Sequence, residues 1–186
     1  GELTNEHKKI AVAHLATLSQ TFTNYPDFIS RIVDDLVEVV SPAEKVKQYE
    51  SVLAQFDKAK RADLVCEARL RLAEVQVEQS KGGAALTGLA ATARKYPTEG
   101  RYVPRIMTKM EDVAPSAKGG PAQVGQVYID LIPGLIGYYR SDTNIYCKKL
   151  IDQARAFMQA NNLTQAAATL ETRITQARIN LKTKKG

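Results

Sequence analysis

Residues 61–102 read RADLVCEARLRLAEVQVEQSKGGAALTGLAATARKYPTEGRY, and this stretch decides the fold class. On a wheel of 3.6 residues per turn, Leu64, Val65, Ala68, Leu72 and Val75 fall on one arc. Ala62, Cys66, Leu70, Ala73 and Val77 fall on a second arc, roughly opposite, and Glu67, Arg71, Glu74 and Glu78 share what remains. A surface helix carries one apolar stripe. Two stripes with a narrow charged edge call for neighbours on both flanks. Lys81-Gly82-Gly83 predicts the helix end, because glycine takes up the left-handed C-cap cheaply. A second helix then puts Ala85, Leu86, Leu89, Ala90, Ala93 and Tyr96 on one broad face, with Thr87, Thr92, Arg94 and Lys95 off it. Alanine at a crossing lets two backbones approach. Pro97 ends the helix by pushing Tyr96 out of the α region.

Leu72-Ala73 on the first helix, a short turn, then Ala85, Leu89 and Ala93 ahead of Tyr96-Pro97 resembles a tetratricopeptide repeat. The likeness covers roughly one repeat. Arg69 stands where that family usually has an aromatic residue, and Gln76 where a tyrosine is common. What the resemblance implies is a short right-handed superhelix of antiparallel helix pairs, with a groove for a partner protein.

Working outward, Ser41-Pro42-Ala43-Glu44 combines an N-cap serine, a proline at the first helical position and a glutamate three on, a capping box. The helix it opens buries Val46, Tyr49, Leu53 and Phe56. Before it, residues 6–22 and 27–40 read as helices separated by Asn24-Tyr25-Pro26. Tyr96-Pro97 repeats that theme and is again followed by a helical pattern, which includes Ile106, Met110 and Val113 and starts near Pro104. Residues 114–122, with two prolines and two glycines, read as a flexible loop and a soft boundary. Val124 to Ile136 is the most apolar helix, expected to kink or stop early at Pro133-Gly134. A helix opened by Ser141-Asp142 buries Cys147, Leu150, Ile151, Ala154, Phe157 and Met158, and Asn161-Asn162 closes it. Thr164 caps a last helix whose Ala167, Leu170, Ile174, Ala177 and Leu181 either seal the stack or pair with a second copy. The count is about nine helices in an all-α fold, one repeat domain over residues 1–181 and a basic disordered tail over 182–186.

Composition agrees with helix on helix: 44% of the 186 residues are apolar, only 6% are aromatic, and there is no tryptophan. No apolar run approaches the roughly 20 residues a membrane span needs. No export signal is legible, but the chain opens on Gly1 rather than Met, so the compartment stays open. Cys66 and Cys147 lie in separate helical patterns and read as buried free thiols. The net charge is +6, and Arg178, Lys182, Lys184 and Lys185 supply four of those charges, which leaves +2 for residues 1–177.

Catalytic chemistry is not legible. The sequence has no phosphate-binding glycine loop, no nucleophile elbow and no His-Glu-x-x-His helix. His7 and His14 sit about two turns, or roughly 10 Å, apart on one helix, too far for a shared zinc. Asp34 and Asp35 are adjacent, which on a helix points them about 100° apart. The expectation is a protein that is not an enzyme and has no cofactor or metal. The candidate binding patch is basic: Arg101, Arg105 and Lys109 at intervals of four, Arg94 and Lys95 closing the helix before, and Tyr102 among them. Such a ridge suits a phosphate or an acidic peptide. The leading expectation is a protein-interaction scaffold holding a peptide or helix in a helical groove. The alternative is nucleic-acid or other polyanion binding through the basic face and tail, which favours aromatic rings between the basic residues.

Overall fold

The computed structural model describes residues 42–183, together with isolated positions 4, 6, 7, 10 and 14. The described residues are all-helical, with no strand: α1 (Pro42–Lys58), α2 (Ala62–Glu78), α3 (Gly82–Lys95), α4 (Val103–Val113), a 3-10 turn (Ala114–Ser116), α5 (Gly120–Tyr139), α6 (Ile145–Ala160) and α7 (Thr164–Thr183). These are seven α-helices against about nine expected; of the first expected helix only residues 6, 7, 10 and 14 are described, all four helical, and the second expected helix, the Ser41 cap and the Asp34-Asp35 pair lie outside the described residues. No helix among the described residues is long and apolar enough to cross a membrane. Contacts divide the chain into two compact units, residues 1–88 and 89–186, and the division falls within α3.

In the first unit α1 and α2 form an antiparallel hairpin. Tyr49, Val52, Leu53 and Phe56 of α1 are buried. On α2 the buried residues are Leu64, Val65, Cys66, Ala68, Leu70, Leu72, Ala73 and Gln76. At 100° per residue these span about 240° of the helix, so both expected stripes are occupied. The open third carries Glu67, Arg71, Glu74 and Glu78. Val77, expected on the second stripe, is exposed because it falls in the last turn, beyond the covering residues. Arg69, on the buried side, reaches α3: an added Cβ at Gly88 would lie 2.7 Å from its guanidinium. Burial holds the Arg69 guanidinium below its ordinary pKa, and the carboxylate of Glu50 works against that.

The connections repeat one device. Lys60 N–H donates to Asp57 C=O and Arg61 N–H to Phe56 C=O; Ser80 and Lys81 do the same to Val77 and Gln76; Asn162 and Leu163 do the same to Gln159 and Met158. Each is a Schellman end, with Lys60, Ser80 and Asn162 at φ of 57°, 58° and 54°. The carbonyl of the residue that follows then accepts the first bond of the next helix, from Val65, Ala85 and Ala167 respectively. Two sequence expectations change here. Ser80, not a glycine, takes the left-handed position, and Gly82-Gly83 belongs to the start of α3. Thr164 is the first residue of α7 rather than its cap, because Leu163 supplies the accepting carbonyl.

In the second unit the apolar α5 is central and packs against α4, α6, α7 and the 3-10 turn. Val124, Val127, Tyr128, Leu131, Ile132, Leu135 and Ile136 are all buried. The helix runs on through Pro133 to Tyr139, so the expected early stop does not occur. Leu131 and Ile132 before the proline and Leu135 and Ile136 beyond it are buried, and tertiary packing outweighs the missing backbone donor. Residues 114–122 are ordered into structure rather than an open loop. Ala117 N–H donates to Ala114 C=O, Gly120 N–H to Ala117 C=O, and Gly119, at φ 68°, delivers the chain into α5. Pro104 stands in the first turn of α4 as expected. α6 begins at Ile145, later than expected, with Asn144 Oδ1 accepting from Tyr146 N–H, and all six of its expected inner residues are buried. Leu170 and Ile174 of α7 are buried, and this helix packs chiefly on α5. Lys182 and Thr183 are still helical. Cys66 and Cys147 are buried and not joined in a disulfide, and burial pushes the Cys147 thiol up to about 11.

Candidate functional site

The six basic-patch residues all belong to the second unit, and the structure sorts them. α4 starts at Val103, so Arg101 precedes the helix and does not stand on a helical ridge with Arg105 and Lys109. Arg101 and Arg105 nevertheless converge, their guanidinium carbons 5.8 and 5.4 Å from the centroid of the Tyr102 ring. Tyr102 is only 5% exposed. The two cations therefore cover it, an attraction of roughly 0.5–2 kcal/mol each, and its face is not open to a nucleotide base. Arg94 points elsewhere. Its Nε and Nη2 donate to Asp130 Oδ2 on α5 at 2.9 and 2.7 Å, and Gln126 Nε2 donates to Asp130 Oδ1 at 2.8 Å. Lys95 Nζ lies 5.4 Å from the ring centroid of its neighbour Tyr96. Lys109 is half-buried.

A group of residues absent from the sequence expectation stands out instead. Tyr138 and Tyr139, ending α5, meet edge to face at 5.0 Å between centroids, and Tyr139 stacks on Tyr146 of α6 at 6.3 Å. Tyr138, Ile145 and Tyr146 are 65%, 75% and 44% exposed, unusual for such side chains in an aromatic-poor chain. Gly100 permits the close seat of Tyr146: an added Cβ there would lie 3.0 Å from the ring. Beside Tyr138 a cleft of about 390 Å³ is floored by Pro97, Leu131, Gly134 and Leu135 and edged by the Arg94–Asp130 pair. A signal was present, since three of the chain's eight tyrosines fall within residues 138–146. A wheel cannot reveal it, because Tyr146 joins the other two across a helix boundary.

One polar network, part-buried at Tyr128 and Glu111 and exposed at Thr108, ties α4, α5 and α6. Tyr128 Oη donates to Glu111 Oε1 at 2.5 Å, and Gln153 Nε2 to Thr108 Oγ1 at 3.0 Å. Burial raises the Glu111 carboxyl above its ordinary range, and hydrogen bonds from Tyr128 and Gln153 pull the other way. Burial, with the adjoining carboxylate, raises the Tyr128 phenol strongly. The buried Tyr128 thus joins α5 to the half-buried Glu111 of α4, and Gln153 brings in α6, so the contacts tie three helices together.

Among the described residues no three His, Cys, Asp or Glu side chains come together to hold a metal ion. His7 accepts or donates only locally, with Thr4 Oγ1 at 2.8 Å, and His14 is exposed. No protein-family model matches the chain, and no curated protein matches it either.

Proposed function

We infer that this chain is a non-catalytic interaction module whose second unit receives a peptide or helix of a protein partner. The observation that carries the reading is the exposed cluster of Tyr138, Ile145 and Tyr146 at the rim of an apolar cleft. Tyrosine brings large contact area with little rotamer freedom to lose, and exposed tyrosines beside a pocket are what partner surfaces use as anchors. At the edge, the Arg94 N–H groups not directed at Asp130 can donate to a bound backbone, and the Asp130 carboxylate retains acceptor capacity. A tetratricopeptide-like superhelix belongs to the same proposal. Its support is the helix–turn–helix device repeated at Lys60, Ser80 and Asn162.

Polyanion binding is the second reading, favoured by one contact. Gly100 lies against Tyr146, which sets Arg101 next in the chain to an exposed ring. A photo-crosslinking residue at position 138, with position 172 on the outer side of α7 as control, separates the readings in native extract. A discrete protein adduct at 138 alone, retained in salt that screens exposed charges, is the expected result. A nucleic-acid adduct that vanishes with salt supports the second reading, and equal labelling at 138 and 172 overturns both.

A further inference from the structure

The second unit holds seven arginines among its described residues, and five of them are engaged. Arg94 pairs with Asp130, Arg155 with Glu171 and Arg178 with Asp142, while Arg101 and Arg105 lie over Tyr102. The side chains of Arg140 and Arg173 have no ion-pair or hydrogen-bond partner among the described residues. Both line the same cleft, of about 400 Å³, between the end of α5 and the outer half of α7. We propose that this cleft is a binding site for a phosphate monoester, which Arg140 and Arg173 grip from opposite helices.

Charge sets the class of ligand. The acids nearest in sequence, Asp142 and Glu171, are held by Arg178 and Arg155 at 2.5 and 2.6 Å, so neither neutralises the cleft. Both helices approach their C-termini here, and their dipoles oppose an anion with roughly half a charge each. Two full guanidinium charges exceed that and suit a dianion better than a single carboxylate. A phosphate monoester carries about −1.5 to −2 at neutral pH and offers three acceptor oxygens. Further donors are at hand. Gln176 Nε2 donates to Asn180 Oδ1 at 3.0 Å, which leaves the Asn180 amide nitrogen unspent. Pro133 and Leu181 supply an apolar wall for the group that carries the phosphate. The volume falls within the usual range for small-ligand sites, about 300–1,000 Å³.

Local backbone fixes one arm. Arg140 sits at φ 52° as the left-handed C-cap of α5, its N–H donating to Ile136 C=O. This conformation is costly for an ordinary side chain, and the Arg140 side chain makes no ion pair or hydrogen bond among the described residues that explains its presence there. The site is independent of the tyrosine-rimmed cleft and does not rest on the partner reading above.

The test is calorimetric titration of the full chain with phenyl phosphate, against phenyl sulfate and inorganic phosphate. Phenyl phosphate binds one to one, and the singly charged phenyl sulfate binds about tenfold or more weaker. Arg140→Asn, which keeps the left-handed turn, and Arg173→Gln each weaken binding about tenfold or more. Arg140→Lys with Arg173→Lys keeps the charge, loses the forks and binds at an intermediate level. Arg101→Gln with Arg105→Gln leaves the affinity unchanged. A phosphotyrosine peptide that binds more tightly than phenyl phosphate through the same arginines places the ester on a protein; weaker binding places it on a free small molecule. The proposal is overturned if phenyl phosphate fails to bind at millimolar concentration, if binding survives loss of both arginines with circular dichroism unchanged, or if it falls equally with Arg101 and Arg105.

Discussion

The central helix α5 carries a built-in comparison, since alanine at three of its glycines meets three different surroundings. A Cβ on Gly120 would stand 2.0 Å from the carbonyl oxygen of Ala114 and 2.8 Å from its carbonyl carbon and Cα. Contact carbons rest near 3.5 Å, so roughly 1 Å or more of backbone must move. That backbone is held: Ala114 is buried, and its carbonyl already accepts from Ala117 N–H while Ala117 accepts from Gly120 N–H. Overpacking of this kind costs about 1–3 kcal/mol, and the rigid obstacle puts Gly120→Ala in the upper half of the range. A Cβ on Gly125 meets the methyl end of Leu163 at 3.2 Å, with Ala166 Cβ and Met158 Cε at ordinary contact distances of 3.6 and 3.8 Å, and a Cβ on Gly134 meets nothing within 4 Å. Gly134 lies in the helix interior, where alanine is favoured by roughly 0.5–1 kcal/mol. The expected order of stability is Gly134→Ala above the natural chain, Gly125→Ala near it, and Gly120→Ala well below, spread over about 3 kcal/mol. Urea unfolding followed by far-ultraviolet circular dichroism measures this, provided the slope stays constant. Gly120→Ala as stable as the natural chain refutes the placement of the 3-10 turn against the start of α5, and Gly134→Ala clearly less stable refutes the open helical surroundings of Gly134.

Ser80→Gly relieves a left-handed residue whose side chain is exposed, and raises the unfolding free energy by about 1 kcal/mol in the same assay; a loss contradicts the turn. Tyr128→Phe removes the hydrogen bond to Glu111 and costs about 1–3 kcal/mol, and it moves the Glu111 carboxyl still higher, which carboxyl NMR titration detects. Because the folded-state pKa of Glu111 is raised, its contribution is full below the ordinary glutamate range and is lost as pH rises through the raised value. Glu111→Gln accordingly loses less stability than the natural chain between mildly acidic and neutral pH, and identical profiles refute the assignment. The Arg155–Glu171 pair has nearly half of each side chain exposed. Glu171→Gln costs less than about 1 kcal/mol, and less again in high salt; a larger loss in urea unfolding indicates that the pair does more than decorate the surface.

Sequence periodicity located what depends on burial along one helix. The arcs of α2, the face of α3 from Ala85 to Ala93 and the inner side of α6 all follow from spacing by three and four, because the cost of exposing aliphatic surface acts residue by residue. Local rules failed where two conformations differ by about 1 kcal/mol. Glycine was the cheaper left-handed cap, yet Ser80 takes the position because hydrogen bonds from Ser80 and Lys81 close α2 there. Pro133 was a plausible stop, yet the burial of Ile132, Leu135 and Ile136 on one face far outweighs one lost backbone bond. A loop rich in glycine and proline at 114–122 folded into a 3-10 turn because its backbone found partners three residues away.

The candidate sites were hardest to read, for a reason the arginines make plain. Arg94, Arg140, Arg155, Arg173 and Arg178 are alike in a linear sequence: each is an exposed cation on or beside a helix. What separates them is the acid each one meets, and those acids lie 36, 16 and 36 residues away in the three pairs formed. Helical spacing reports neighbours within about one turn, so it grouped Arg94 with Lys95 and Arg101 although α5 had already claimed it. The same limit hid Arg140 and Arg173, whose significance is the lack of any such partner among the described residues. A positive charge that the fold neutralises is structural; one left over inside a cleft keeps its full attraction for a ligand. For a helical chain of this composition, pairing off the charges through the tertiary contacts is therefore a sharper guide to function than counting them along the chain, and Arg140 with Arg173 is where that accounting leaves a remainder.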